Sequence, residues 1–289
     1  MANPIKAAQA IIEELEIRAP SEIDVELIAI SRNVFVRDGP LAGAEARMVR
    51  LGDRALVTLS STIRHEERRR FNIGHELGHF ELHEASVLLS CTAADMNDWT
   101  DKNRKETEAN RFSAELLMPE FLFRPRCVGV PGMKILKSLA KEFRTSLTST
   151  AIKYLKTTGE PCALFFCHNR KIEWRTKNGS FDYNLRNEGE PVHGYSYADD
   201  AFEGMKIPDD GGLVPAYAWI NDSRVDLDAE IKEATCYFPL YNAALTFLWI
   251  NEDIGGGSWD KEKYQDEREE DECSSEWEPM TFHKSKRKR

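Results

Sequence analysis

Two histidines four residues apart, with a glutamate directly after the first, stand at His75-Glu76-Leu77-Gly78-His79. On a helix of about 3.6 residues per turn, positions i and i+4 project from one face. The imidazoles of His75 and His79 can then converge on one Zn²⁺ while Glu76 leans over the same site as a base. That chemistry is metal-assisted hydrolysis of a peptide bond. Leu77 is available for a core, and Gly78 leaves room for a close neighbour such as a substrate-binding strand. Chance places two histidines and a glutamate this way in on the order of one chain in a hundred of this length, so the surroundings decide.

Two histidines and a water leave a tetrahedral ion one donor short. His83 lies about 12 Å of helix rise from His75, too far to share the ion on a straight helix, and reads as a helix-end residue or a partner behind the ligands. The run Glu106-Thr107-Glu108-Ala109-Asn110 through Leu116-Leu117-Met118-Pro119 is a second helix, with Ala109, Phe112, Leu116 and Leu117 as its apolar stripe and Pro119 as its stop. Glu106 and Asn110 are i,i+4 neighbours, so Asn110 can steady either Glu106 or a ligating histidine. Glu108 is also a candidate ligand. It points roughly 200° away from Glu106, so one of the two faces the metal and the other is a solvated charge.

Three blocks together resemble the ImmA/IrrE-type metallopeptidases: Gly43-Ala44-Glu45-Ala46-Arg47, then Arg70-Phe71-Asn72-Ile73-Gly74 running into His75 to His79 with His83 behind, then Glu106 to Asn110 continuing to Pro119. The resemblance covers roughly residues 1 to 157. It implies a zincin-like fold with a thermolysin-like core, a metal held by His75, His79 and Glu106, and Glu76 as the catalytic residue. It also implies a helix-turn-helix repressor as the protein substrate, cut to switch on stress-response or mobile-element genes. Ser113 stands where the family often has alanine.

The elements that must position these residues follow from periodicity. Pro4 to Ile17, Ile23 to Ser31 and Ile63 to Leu82 read as amphipathic helices, the last with Phe71, Ile73, Leu77, Phe80 and Leu82 for burial. Asn33 to Val36, Glu45 to Val49 and Arg54 to Leu59 read as strands of a small sheet, with turns at Gly39-Pro40 and Gly52-Asp53. A zincin binds its substrate backbone along an edge strand, and Arg54 to Leu59 is the segment expected to serve.

The expected organisation is α+β: a peptidase domain over 1–132, a helical pair over 133–159, a small antiparallel α+β domain over 160–259 and a charged disordered tail over 260–289. The helical pair, turning at Arg144-Thr145-Ser146, resembles a helix-turn-helix, which would set Lys153 and Lys156 on DNA. Its turn lacks the usual glycine, and packing against the core is the expectation. IrrE-like proteins carry a GAF-like domain after the peptidase, so the resemblance implies a sensing module over 160–259, although no block there is specific for one. Its aromatic residues Trp174, Tyr195, Tyr197, Trp219, Tyr237, Phe238 and Trp249 are expected mainly as core rather than as a ligand pocket. In the tail, Asp260 to Glu278 carries ten acidic and three basic residues, and His283 to Arg289 is basic.

Composition bounds the rest. A net charge of −10 over 289 residues argues against direct binding of nucleic acid and for a protein partner with basic patches. No apolar run approaches a membrane span and no signal peptide is evident, so the expected location is the cytoplasm. The six cysteines (Cys91, Cys127, Cys162, Cys167, Cys236, Cys273) show no C-x-x-C spacing, which argues against a structural zinc or disulfide framework, and read as reduced, mostly buried thiols. Zinc is the expected cofactor, with manganese tolerated by the same ligands. The competing reading is a noncatalytic regulator that binds a repressor around a structural zinc. A structural site would be closed by a fourth protein ligand, whereas a catalytic one keeps that position open.

Overall fold

The computed structural model describes residues 3–83, 88–92 and 104–250. It is a mixed α+β fold with two sheets, in two compact units. Among the described residues the first comprises the chain to Arg126 together with Ala140–Ser146, and the second comprises Cys127–Leu139 and residues 147–250. Among the described residues no helix is long and apolar enough to cross a membrane. The tail expected from residue 260, with Cys273, lies outside the described residues.

In the first unit, helices α1 (Pro4–Glu14), α2 (Val25–Ser31), α3 (Glu66–Leu82), α4 (Arg104–Leu117) and α5 (Glu120–Phe123) accompany strands β1 (Val34–Gly39), β2 (Ala46–Leu51), β3 (Arg54–Ser60) and β4 (Leu88–Cys91). Local chemistry marks the boundaries. Asn3 and Asp24 cap α1 and α2 by accepting backbone N–H bonds, and Pro4 occupies the first turn of α1. The turn between β2 and β3 uses Gly52 at φ +62°, a left-handed conformation that glycine adopts at little cost.

The sheet order is β1-β3-β2-β4, with β1 and β3 parallel and the other pairs antiparallel. This overturns the expectation that Arg54 to Leu59 forms the substrate-binding edge. β3 is an inner strand, hydrogen-bonded to β1 on one side and β2 on the other, and has no free ladder to offer. Its inward residues Ala55, Val57 and Leu59 are buried, a core role that alternation alone could not distinguish from an edge role. The outer strands are β1 and β4.

Helix α3 also departs from the simple amphipathic expectation. Every residue from Asn72 to His79 is buried, polar ones included, while Phe71, Phe80 and Leu82 are only half-buried. Helices α1, α2 and α4 and strands β2 and β3 all pack against it, so its middle turns are covered on every side.

The second unit holds α7 (Leu147–Thr157) beside a five-stranded antiparallel sheet of β5 (Cys162–His168), β6 (Lys171–Lys177), β7 (Gly212–Pro215), β8 (Glu230–Phe238) and β9 (Ala243–Trp249), in the order β6-β5-β9-β8-β7. The short α8 (Tyr197–Phe202) packs on β8 and β9. α6 (Met133–Phe143) precedes α7, so the expected helical pair is present, and Tyr154 of α7 is buried against Phe247 of β9. The run expected as a strand over Leu213 to Ile220 is one only to Pro215, after which the chain turns into a 3₁₀ segment. Proline cannot donate to a ladder, and Pro215 ends this one.

Candidate metal centre

Glycine sets the spacing of the helices that build the site. A Cβ on Gly78 would meet the Cα of Ala109 at 3.0 Å and the ring of Phe112 at 3.1 Å; one on Gly74 would meet the Ser113 hydroxyl at 2.6 Å. One turn apart on α3, the two glycines let α4 lie directly against it. The close neighbour that Gly78 admits is therefore a helix and not a strand. The Ser113 hydroxyl, wedged at Gly74, donates to the Phe71 carbonyl at 2.9 Å. Ala109 lies three residues after Glu106, so this contact carries Glu106 to the histidines.

The result is a triangle of acceptors. Nε2 of His75 and Nε2 of His79 are 3.0 Å apart, and Oε2 of Glu106 lies 3.0 Å from the first and 3.2 Å from the second. All three side chains are buried. Their outer partners define the tautomers. Asn110 Oδ1 accepts from His75 Nδ1 at 2.8 Å, which leaves the His75 Nε2 lone pair facing inward. His79 Nδ1 donates to His83 Nδ1 at 3.0 Å, and His83 Nε2 donates to Glu108 at 3.1 Å, again leaving the His79 Nε2 lone pair inward. Burial lowers the His83 pKa despite Glu108, in keeping with a neutral ring. Two nitrogen lone pairs and a carboxylate oxygen within 3.2 Å of one another repel unless a cation lies among them. Tetrahedral zinc with bonds of about 2.0–2.1 Å spaces its ligands roughly 3.3 Å apart, close to this triangle.

Glu108 is not the solvated charge expected of the glutamate that turns away from the metal. It is mostly buried, bonded to His83 and to Arg104 at 2.8 Å. The far end of α3 is held by Arg50, which donates to the carbonyl of Phe80 at 2.8 Å and stacks over its ring at 4.2 Å. Glu45, at the start of β2, accepts from Arg68 at 2.7 Å and from Asn72 at 3.0 Å on α3, while its own N–H donates to the Cys91 carbonyl at 3.0 Å.

Glu76 is fully buried beside the triangle. Burial pushes its carboxyl up to about 7, against the pull of His79 and of a weak donor, the Cys91 thiol. Neither of its oxygens makes a hydrogen bond of normal geometry. For Glu106 burial acts in the same upward direction, and a proton on His75 or His79 Nε2 would outweigh it and hold the carboxyl well below the usual range.

Sequence reading missed one donor. The Sγ of Cys91, on β4, joins His75, His79 and Glu106 in a buried group whose candidate ligand atoms all lie within 4.8 Å of one another. With no C-x-x-C spacing and a position 12 or more places along the chain from each of the other three, no local pattern marks it. Among the described residues the other cysteines are not joined in disulfides.

Residues 31–154 match the family model described as Peptidase_M78, the IrrE N-terminal-like domain, which supports an ImmA/IrrE-type relationship for this part of the chain. The match supports a metallopeptidase-type or regulatory role. Among curated proteins none matches the chain. A solved structure described as a Mycobacterium tuberculosis transcriptional regulator is similar in fold, with a TM-score of 0.51 and 13% identity over 86% of this chain and 76% of its own.

Proposed function

We propose that the chain is a zinc-dependent endopeptidase that cuts a specific intracellular protein, a helix-turn-helix transcriptional repressor, and thereby derepresses stress-response or mobile-element genes. One observation carries the catalytic part: three buried acceptors converge with no donor among them, beside a buried carboxylate whose oxygens have no full hydrogen bond. A site meant only to hold a cation has no need of that second carboxylate.

His75, His79 and Glu106 hold the ion, each histidine oriented from behind, by Asn110 and by the His83–Glu108 pair. When bound, the ion supplies Lewis-acid stabilisation for charge developing on the scissile carbonyl. Glu76 takes the proton of the attacking water and hands it to the leaving amine. The same N₂O donor set accepts manganese, so zinc is the reading favoured by imidazole ligation and not by geometry alone. The repressor as substrate rests on the family resemblance, and the second unit is assigned to sensing or substrate recruitment. Co-expression with a helix-turn-helix repressor, followed by mass spectrometry, tests the whole. Defined fragments with the wild-type chain and intact repressor with Glu76→Gln are expected; fragments from both remove the assignment.

The alternative, a noncatalytic regulator around a closed metal site, draws on the fourth buried donor, Cys91. A zinc-loaded chain that binds the repressor without cutting it, in every thiol state, would favour it.

A further inference from the structure

We propose that Cys91 is a fourth protein ligand of the metal, so that the chain folds with its peptidase site closed and opens when that thiolate is withdrawn; the proposal rests on the peptidase reading above. The Cys91 Sγ lies within 4.8 Å of the candidate ligand atoms of His75, His79 and Glu106, and all four residues are buried.

Its position is built. Cys91 pairs with Ala46 at the end of the β2–β4 ladder, and its carbonyl accepts the N–H of Glu45. The Glu45 carboxylate is in turn held by Arg68 and Asn72 of α3, the helix that carries His75 and His79. One residue therefore ties the cysteine strand and the metal helix together. The tie is local: among the described residues the ladder joins Leu88 to Cys91 with Ala46 to Val49.

The chemistry follows from the donor set. Two imidazoles, a carboxylate and a thiolate complete a tetrahedral shell, which leaves no position for water. Binding of the thiol forms the metal–sulfur bond and releases the thiol proton to solvent. Withdrawal of the sulfur reverses this, with a water taking the vacated position and a proton returning to the thiol.

Cobalt(II) reports the ligand directly, because thiolate coordination adds a charge-transfer absorption in the near ultraviolet. The full chain loaded with cobalt is expected to show this band, Glu76→Gln to keep it, and Cys91→Ser and Cys91→Ala to lose it while still binding cobalt. If the open form is about one molecule in ten or fewer, Cys91→Ala loaded with zinc should cut the repressor roughly tenfold faster than the wild type, and Cys91→Ala with Glu76→Gln should not cut it. A stoichiometrically loaded wild type without the band overturns the ligand assignment, whatever the variants do. A band with no gain in cleavage for either cysteine variant overturns the closed-site claim. If Glu76→Gln then cuts as well as the wild type, the peptidase reading fails separately. Circular dichroism of the two cysteine variants excludes misfolding as the cause, and the wild-type spectrum does not depend on them.

Discussion

Two buried glutamates, one in each unit, are both pushed by burial to about 7, yet their surroundings are opposite. Glu233 of β8 accepts from the Trp219 indole at 2.7 Å, the Ala198 N–H at 2.8 Å and the Thr235 hydroxyl at 2.8 Å. These donors offset part of the cost of burial and tie β8, α8 and the Trp219 segment together. Glu76 has no such set, only the weak Cys91 thiol, and stands beside three acceptors that call for a cation. A buried carboxyl with its donors in place is architecture. One held without them, at the edge of a convergent ligand set, is a candidate for chemistry, because the folded chain maintains it at a cost.

The largest effect should separate the two at once. Glu76→Gln is expected to lower repressor cleavage by about 10²–10⁴-fold, the usual contribution of a positioned general base, with metal content unchanged. Glu233→Gln should leave cleavage by correctly folded protein unaltered. Steady-state kinetics with metal analysis on both variants checks this, and equal losses would erase the distinction.

Metal content is the next test. Alanine at His75, His79 or Glu106 should strip zinc through dialysis against a weak chelator, measured by mass spectrometry of the metal. Retained zinc in Glu106→Ala would remove α4 from the ligand set.

Glu233 should reveal itself in stability against pH. Its folded pKa lies above the unfolded value of 4.5, so the folded state holds the extra proton between about 4.5 and about 7. The stabilisation is fully present below the lower limit and is lost as pH rises through the upper one. The wild type should therefore lose roughly 3 kcal/mol relative to Glu233→Gln across that window, at 1.36 kcal/mol per unit. Denaturant titrations at pH 4.5 and 7.5 measure the difference between the two proteins; a difference independent of pH would refute the assignment.

The smallest effect belongs to Glu108. It acts on the metal only through His83 and His79, so Glu108→Ala should weaken zinc binding by about tenfold, the low end for outer-layer partners of ligating histidines. Competition with a chromophoric chelator gives the number, and loss as complete as in Glu106→Ala would exchange their roles.

The His75-Glu76-x-x-His79 face was legible because i,i+4 geometry is local to one helix and survives whatever packs around it. Glu106 and Glu108 were both legible as candidates, but the choice between them depended on how α4 rolls against α3. That choice falls to Gly74 and Gly78, whose missing side chains admit Ala109 and Ser113. The edge role expected for Arg54 to Leu59 failed for a related reason: alternation reports which face of a strand is buried, not how many neighbours it has.

Residue types and short spacings alone thus marked the helices and the shared face of His75, Glu76 and His79. The order β1-β3-β2-β4, the arrival of Cys91 among the ligands and the donor set around Glu233 were decided by tertiary structure. Each includes a meeting of residues more than ten positions apart, and no periodicity encodes it. It arises from burying the apolar faces of separate elements together, which brings their polar groups into contact.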